Sequence, residues 1–251
     1  MPDSRKADIG PGAVRTAVVW DAVREVVAEL ESDAPLTIVD LGGGTGGLAV
    51  RIADLGHHVT VIDPSPDALA SLHRRAVDGG VDGMVRGVQG DANDLGRYVA
   101  DASVDLLLCH GVLDVMEEPA AALDQVRACL RAGGVASVVV LGRPAGVLAR
   151  ALAGQFERAR ALLESRVDDW DLDADGPRRF TAEEIADLLR RHELRVDRVD
   201  AVRVFSDLVP SALVDAEPGA RRSLLELERS VAGRPEFAAV AGQLHAVARR
   251  P

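Results

Sequence analysis

Apolar residues recur at helical spacing between Ala13 and Glu31, through Val14, Ala17, Val18, Val23, Val26, Val27 and Leu30. This spacing predicts an amphipathic helix ahead of the first strand, covering the cofactor side of the sheet. Short apolar runs then alternate with helical patterns: strand Thr37 to Leu41, helix Gly47 to Leu55, strand His58 to Ile62, helix Asp67 to Val77, strand Met84 to Val88. Val104 to Cys109 is nearly all apolar, as a strand covered on both faces should be. A helix from Glu118 to Leu130, closed by Gly133-Gly134, leads to a fifth strand from Val135 to Leu141. Such alternation is the signature of a parallel sheet.

Pro144 to Pro177 interrupts the pattern with a helix over Ala145 to Arg166 and an Asp-rich stretch, and reads as an insertion over the site. A helix N-capped by Thr181, with Glu184 three residues on, follows it. A strand near Val196 to Phe205, a helix near Arg221 to Ser230 and a last strand near Leu244 to Ala248 complete the chain. The expected fold is α/β: a Rossmann-like, seven-stranded, mostly parallel sheet with helices on both faces and a helical insertion after strand five. Residues 1–12, mostly polar and ending in the breaker cluster Gly10-Pro11-Gly12, are expected to form a loose tail, and 13–251 one domain.

Composition narrows the function. A chain of 251 residues, 47% hydrophobic, can bury a sizeable core, and no apolar run reaches the ~18 residues of a membrane span. The polar N-terminus lacks a secretory signal, so a cytoplasmic protein is expected. The net charge of −11 argues against a broad nucleic-acid-binding face, because phosphate contacts need surface Lys and Arg. Arg178-Arg179 and Arg190-Arg191 remain candidates for a local anion contact, against the alternative of solvated faces. Cys109 and Cys129 fit neither a disulfide framework nor a zinc site and read as small buried residues. Asp171-x-Asp173-x-Asp175-Gly176 imitates the opening of a calcium loop, but Ala182 stands where the bidentate glutamate belongs, so no metal is expected.

The candidate chemistry gathers after strand one, where Asp40-Leu41 runs into Gly42-Gly43-Gly44-Thr45-Gly46-Gly47 and a helix. Such a loop lets a ligand approach the backbone. Gly42, Gly44 and Gly47, with Asp63 about 20 residues beyond, also satisfy a dinucleotide fingerprint, so the glycines alone decide nothing. Three features favour S-adenosylmethionine over a nicotinamide cofactor. Asp40 ends strand one, where it can meet a cationic amine. Asp91, in Gln89-Gly90-Asp91-Ala92, ends strand three, where it suits an adenine amino group. Arg131-Ala132-Gly133-Gly134-Val135 forms a helix-glycine-strand junction common in methyltransferases. Asp63 serves either reading by accepting hydrogen bonds from two ribose hydroxyls, Ser65 and Pro66 already providing the start of the next helix. His110 follows strand four at the carboxyl edge of the sheet, where open α/β folds bind ligands; the alternative is a structural histidine. A general-base role for His110 is needed only for a hydroxyl or amine acceptor, whereas a carboxylate acceptor needs only to be held in line.

Several segments resemble the bacterial tRNA 5-carboxymethoxyuridine methyltransferases, from about Gly12 to the C-terminus. They are Gly12-Ala-Val-Arg15 with Trp20-Asp21, Val39-Asp-Leu-Gly-Gly-Gly-Thr-Gly46, His110-Gly-Val-Leu-Asp114, Ala153-Gly-Gln-Phe156, Arg203-Val-Phe-Ser-Asp207, Leu224-Leu-Glu-Leu-Glu228 and His245-Ala-Val-Ala-Arg249. The resemblance implies that Arg15 contacts the cofactor carboxylate, Gly42 and Gly43 its methionine part, Asp63 the ribose, and Asp91 and Ala92 the adenine, with His110 in the same pocket. It further implies S-adenosylhomocysteine as product and a tRNA carboxylate as methyl acceptor. Two segments depart from the family: Asp168-Asp169-Trp170-Asp171-Leu172-Asp173-Ala174-Asp175 replaces a basic run, and Leu141-Gly-Arg-Pro144 a more polar, aromatic turn. The acidic stretch would repel tRNA, so a small-molecule O- or N-methyltransferase is the alternative, and a non-catalytic cofactor-binding protein a third.

Overall fold

The computed structural model describes residues 11–30 and 34–251, without the side chains of residues 11–15, 174 and 175. Seven strands form one sheet in the order β3-β2-β1-β4-β5-β7-β6. They are β1 (Thr37–Leu41), β2 (His58–Asp63), β3 (Val85–Gln89), β4 (Val104–His110), β5 (Leu130–Leu141), β6 (Arg195–Val202) and β7 (Gln243–Arg249). Only β7 runs antiparallel to its neighbours. The expected mostly parallel, seven-stranded sheet is therefore present.

Both faces are covered. On one, Val23, Val26 and Val27 of α1 (Pro11–Leu30) pack with α2 (Gly47–Ala53) and α3 (Pro66–Asp78) against Ile38, Val61, Leu106 and Leu108. On the other, α4 (Pro119–Cys129) and the helix Ala182–Arg191 lay Leu123, Val126, Ile185 and Leu189 on Val39, Leu107 and Val138. Strand alternation thus divides each central strand between two cores.

Helix α1 begins at Pro11, inside the segment expected as tail. A proline is tolerated in the first turn, where its missing N–H has no helical partner. The rest of that expected tail, and Glu31, lie outside the described residues.

The insertion also departs from expectation. In place of one helix, α5 (Arg143–Leu152) and α6 (Phe156–Glu164) are separated at Gly154, whose φ of +72° is the left-handed conformation that ends a helix. The acidic stretch contains α7 (Leu172–Asp175), with Trp170 Nε1 donating to the Gly176 carbonyl at 2.8 Å. Parallel bridging of Gly142 with Phe180 returns the chain to the sheet. Next comes α8 (Ala182–Arg191), opened by the expected box: Glu184 N–H donates to Thr181 Oγ1 and Thr181 N–H to Glu184 Oε2. Arg143 pairs with the same Glu184 and donates to the Ser165 carbonyl at 2.6 Å, tying the insertion to α8.

Strand β6 stops at Val202, short of Phe205, because Arg203 turns with φ +58° and the next amides go elsewhere. Val204, Phe205 and Ser206 N–H all donate to the buried carboxylate of Glu228 at 2.8–3.0 Å. Glu228 sits on α10 (Ala220–Val231), between the short helices α9 (Ser211–Ala216) and α11 (Pro235–Ala238), neither of which the sequence pattern revealed. Strand β5 begins at Leu130, ahead of the expected Val135, with Gly133 at φ +75° and a register shift opposite Val104/Leu106.

Candidate functional site

Order reverses between β1 and β4, and open α/β sheets bind ligands outside the strand ends at such a switch point. There β1 runs into the glycine loop. Gly42, Gly44 and Gly46 have φ between +55° and +73°, conformations that side chains resist. Space is as tight as the torsion. A Cβ on Gly42 would stand 2.6 Å from Val112 Cγ2, and one on Gly43 would collide with the Asp40 carboxylate.

Asp63 closes the loop from β2. Its Oδ2 accepts from Gly44 N–H and its Oδ1 from Ser65 N–H, both at 2.9 Å. These two bonds fix the carboxylate while leaving each oxygen lone-pair capacity for a ligand. The Ser65 Oγ accepts from Ala68 N–H and caps α3, as the sequence indicates.

A cavity of about 670 Å³ opens over this end of the sheet, and Gly42, Asp63, Asp91, Ala92 and His110 all line it. Asp91 caps a 3₁₀ turn, its Oδ1 receiving both the N–H and the side-chain amide of Asn93 at 2.8 and 2.7 Å. That leaves Oδ2 for another donor. Val112, from the segment His110 to Asp114, also lines the cavity, as do Pro64, Asn93, Val115 and Met116, which no periodic pattern or motif singled out.

Asp40 is not a lining residue. It lies beneath the loop, 4% exposed, and among the described residues no cation pairs with it. Burial, reinforced by the Asp63 charge, pushes its carboxyl up to about 7. Among the described residues nothing compensates this acid beneath the loop. Arg15 belongs to α1, but its side chain lies outside the described residues.

His110 ends β4 and also lines a second cavity of about 400 Å³, with Trp20 of α1, Leu48 and Arg51 of α2, Val139 and Gln243. Helix α1 thus flanks this cavity. Arg51 stacks on Trp20 with its guanidinium carbon 3.8 Å from the ring centroid. His110 is pushed down to about 4 by burial, so its imidazole is neutral, and its Nε2 meets Ser137 Oγ at 2.8 Å.

The loop after β4 is held firmly. Gly111 N–H donates to the Val139 carbonyl (2.8 Å), and Asp114 Oδ1 accepts from Leu141 N–H (3.0 Å). Burial raises the Asp114 carboxyl to about 6. Arg178, offered by sequence as an anion contact, is instead 5% exposed and donates to the Met116 and Glu117 carbonyls at 2.6 and 3.3 Å. Arg179 donates to the Gly142 carbonyl, while Arg190 pairs with Asp187 on α8. Cys109 and Cys129 are buried free thiols, pushed by burial to about 12 and about 11. Nothing activates either as a nucleophile. Among the described residues no helix is long and apolar enough to cross a membrane, and no cluster of three His, Cys, Asp or Glu could hold a metal.

Comparison with known proteins agrees with this geometry. Residues 39–138, from β1 through most of β5, match the family described as a methyltransferase domain. A tRNA 5-carboxymethoxyuridine methyltransferase of Escherichia coli O157:H7 is 27% identical over 240 residues, spanning 96% of this chain and 89% of that protein. A ubiquinone/menaquinone biosynthesis C-methyltransferase of Nitrobacter hamburgensis is 36% identical, over 46% of this chain and 47% of its own length. The crystal structure of an S-adenosylmethionine-dependent methyltransferase from Mesorhizobium loti superposes with a TM-score of 0.62 at 23% identity, covering 94% of this chain and all of that one. The fold is also that of the [4+2]-cyclase SpnF, with a TM-score of 0.64 at 21% identity over 99% of this chain and 84% of that one. With the glycine loop, its acids and the matched segment in the same place, the chain carries a methyltransferase domain at residues 39–138, in a sheet with the Rossmann-like fold of S-adenosylmethionine-dependent methyltransferases.

Proposed function

We propose that the chain binds S-adenosylmethionine between the glycine loop and the β2, β3 and β4 ends, and transfers its methyl group to a carboxylate on a modified uridine of tRNA. The observation that carries the acceptor is coverage. The tRNA methyltransferase relatives align along 96% of this chain, insertion included, whereas the ubiquinone/menaquinone C-methyltransferase aligns over less than half of it.

The residues present suit that cofactor. A buried Asp40 under the loop, without a cationic partner among the described residues, favours a cation above it, as an α-amine or a sulfonium would supply. Asp63 offers two pre-fixed acceptor oxygens to a ribose diol, Asp91 Oδ2 one acceptor to an adenine amino group, and Ala92 an apolar contact to the ring. Gly42, Gly43 and Gly44 let the methionine part lie on the backbone, and the resemblance assigns its carboxylate to Arg15, whose side chain lies outside the described residues. When bound, the cofactor supplies an electrophilic methyl on sulfur and leaves as S-adenosylhomocysteine.

The protein's own contribution is placement. His110 and Gly111 line both cavities, so a cofactor in the larger one and an acceptor in the smaller one meet there. Trp20, Leu48 and Val139 give the smaller cavity apolar walls that keep water from competing for the methyl group. A carboxylate arrives already ionised, so no base is required.

A second reading, methylation of a small hydroxyl or amine compound, is favoured by the net charge of −11 and by Asp168, which borders a groove with Arg190 and Arg191. The test is transfer of labelled methyl from S-adenosylmethionine to tRNA carrying free carboxymethoxyuridine, run beside a metabolite extract. Label in a base-labile tRNA ester supports the first reading; label only in the extract supports the second.

A further inference from the structure

A line of buried polar side chains crosses the sheet away from the site. His110 on β4 pairs in register with Val139 on β5, Val139 with His245 on β7, and His245 with Asp200 on β6. Ser137 lies two residues before Val139, on the same face of β5, so His110, Ser137, His245 and Asp200 all point to the side covered by α1. The contacts are continuous. His110 Nε2 is 2.8 Å from Ser137 Oγ, and Ser137 Oγ is 2.7 Å from His245 Nε2. The His245 ring is fully buried, and its Nδ1 lies without a hydrogen bond 4.0 Å from Asp200 Oδ2. Asp200 is in turn held by Arg198 Nε at 3.0 Å, and Arg198 reaches Glu25 of α1 at 2.8 Å.

The bridging hydroxyl has one proton and must serve two imidazoles. If it donates to one ring nitrogen, it must accept an N–H from the other. Burial keeps both imidazoles neutral, since it pushes His110 and His245 alike downward. Two neutral histidines joined through one serine therefore hold opposite tautomers. Either His110 is protonated on Nε2 and His245 on Nδ1, or the reverse.

Asp200 breaks the tie. A bare Nδ1 on His245 would aim a lone pair at a carboxylate across 4.0 Å of dry interior, whereas an N–H there is attracted to it. We infer that Asp200, through His245 and Ser137, fixes the His110 proton on Nε2 and leaves its Nδ1 bare toward the cavities, so that the ligand group received there is an N–H or O–H donor.

Among the described residues His110 Nδ1 has no partner, and it is not sealed off as its counterpart in His245 is. The inference rests on the proposed site only in making His110 a ligand contact. It adds that His110 does not hold the reacting carboxylate, which has no proton to give, but a donor elsewhere on the bound molecules. Ser137, His245 and Asp200 are positioning residues.

Nitrogen-15 NMR of ligand-free protein with labelled histidine reads the tautomers directly, before any question of methyl transfer. The expected result is a bare Nδ1 on His110 and a bare Nε2 on His245. Asp200→Asn should convert this single pattern into a mixture, and Ser137→Ala, a small buried change that keeps the fold, should uncouple the two rings. Both variants should lose about tenfold in methyl-transfer kcat/KM, the worth of roughly one hydrogen bond. A proton on His110 Nδ1 in the wild type, a pattern indifferent to Asp200→Asn, or altered tautomers with unchanged kcat/KM would each overturn the inference. Failure of the methyltransferase reading would show separately, as absence of S-adenosylhomocysteine binding in the wild type.

Discussion

Asparagine at position 40 should make the ligand-free protein more stable and a poorer binder of cofactor. Asp40 is buried with no cation to offset it among the described residues, and burial with the Asp63 charge pushes its carboxyl up to about 7 from 3.8. At about 1.4 kcal/mol per pH unit, ionising it in the folded protein costs roughly 4 kcal/mol, an upper figure because the interior relaxes. The sign follows from proton counting. Between pH ~4 and ~7 the folded state holds a proton that the unfolded state has released, so stability falls as pH rises through that window and stays low above it. Asp40→Asn removes the charge and should gain about 2–4 kcal/mol at pH 8, or roughly 5–15 °C in Tm, and almost nothing at pH 4. A cationic ligand above the loop reverses the preference by stabilising the ionised acid. S-adenosylhomocysteine, through its amine, should therefore bind the wild type about tenfold more weakly at pH 6 than at pH 8, and Asp40→Asn weakly at both. Calorimetric melts and titrations across pH 4–8 measure both effects. A variant less stable than wild type at pH 8, or a wild-type affinity flat with pH, would refute the reasoning.

Asp63→Asn exchanges one acceptor oxygen for a donor and should weaken S-adenosylhomocysteine by about 30- to 100-fold in isothermal titration, as expected for lost bonds to a charged group. Glu228→Ala strands three amides at the end of β6 and should cost about 3 kcal/mol in urea melts, with cofactor affinity unchanged once the protein is folded. Arg178→Met frees the Met116 and Glu117 carbonyls; hydrogen exchange of residues 112–118 should speed up, and affinity for S-adenosylhomocysteine should fall, because Met116 and Glu117 line the larger cavity.

The parts legible in the sequence are those whose physics is local. Period-two and period-3.6 patterns locate all seven strands and most of the long helices, and the Thr181–Glu184 box and the Ser65-Pro66 start appear as expected. Glycine positions in the loop after β1 are readable because positive φ leaves a chemical trace. The same trace at Gly154 marks the break between α5 and α6, though it lies inside an otherwise continuous helical pattern. Interactions between distant segments left no such trace. Arg178 looks like any surface arginine until the fold brings it under Met116, 62 residues away, and Ser137 like a neutral strand residue until His245, 108 residues on, faces it. The resemblance segments Arg203 to Asp207 and Leu224 to Glu228 prove to be two halves of one structural clamp around Glu228. Asp40 stands out in the sequence as an acid just ahead of the glycine loop, but its place beneath the loop, away from the cavity lining, depends on backbone packing.

The most direct test of the site is competition between two ligands that the glycine loop alone cannot tell apart. Titrated calorimetrically, the wild-type protein should bind one equivalent of S-adenosylhomocysteine, undisturbed by millimolar NAD, and Asp63→Asn should lose that heat. Binding of NAD in the same cavity, or S-adenosylhomocysteine binding that ignores Asp63, would contradict the account.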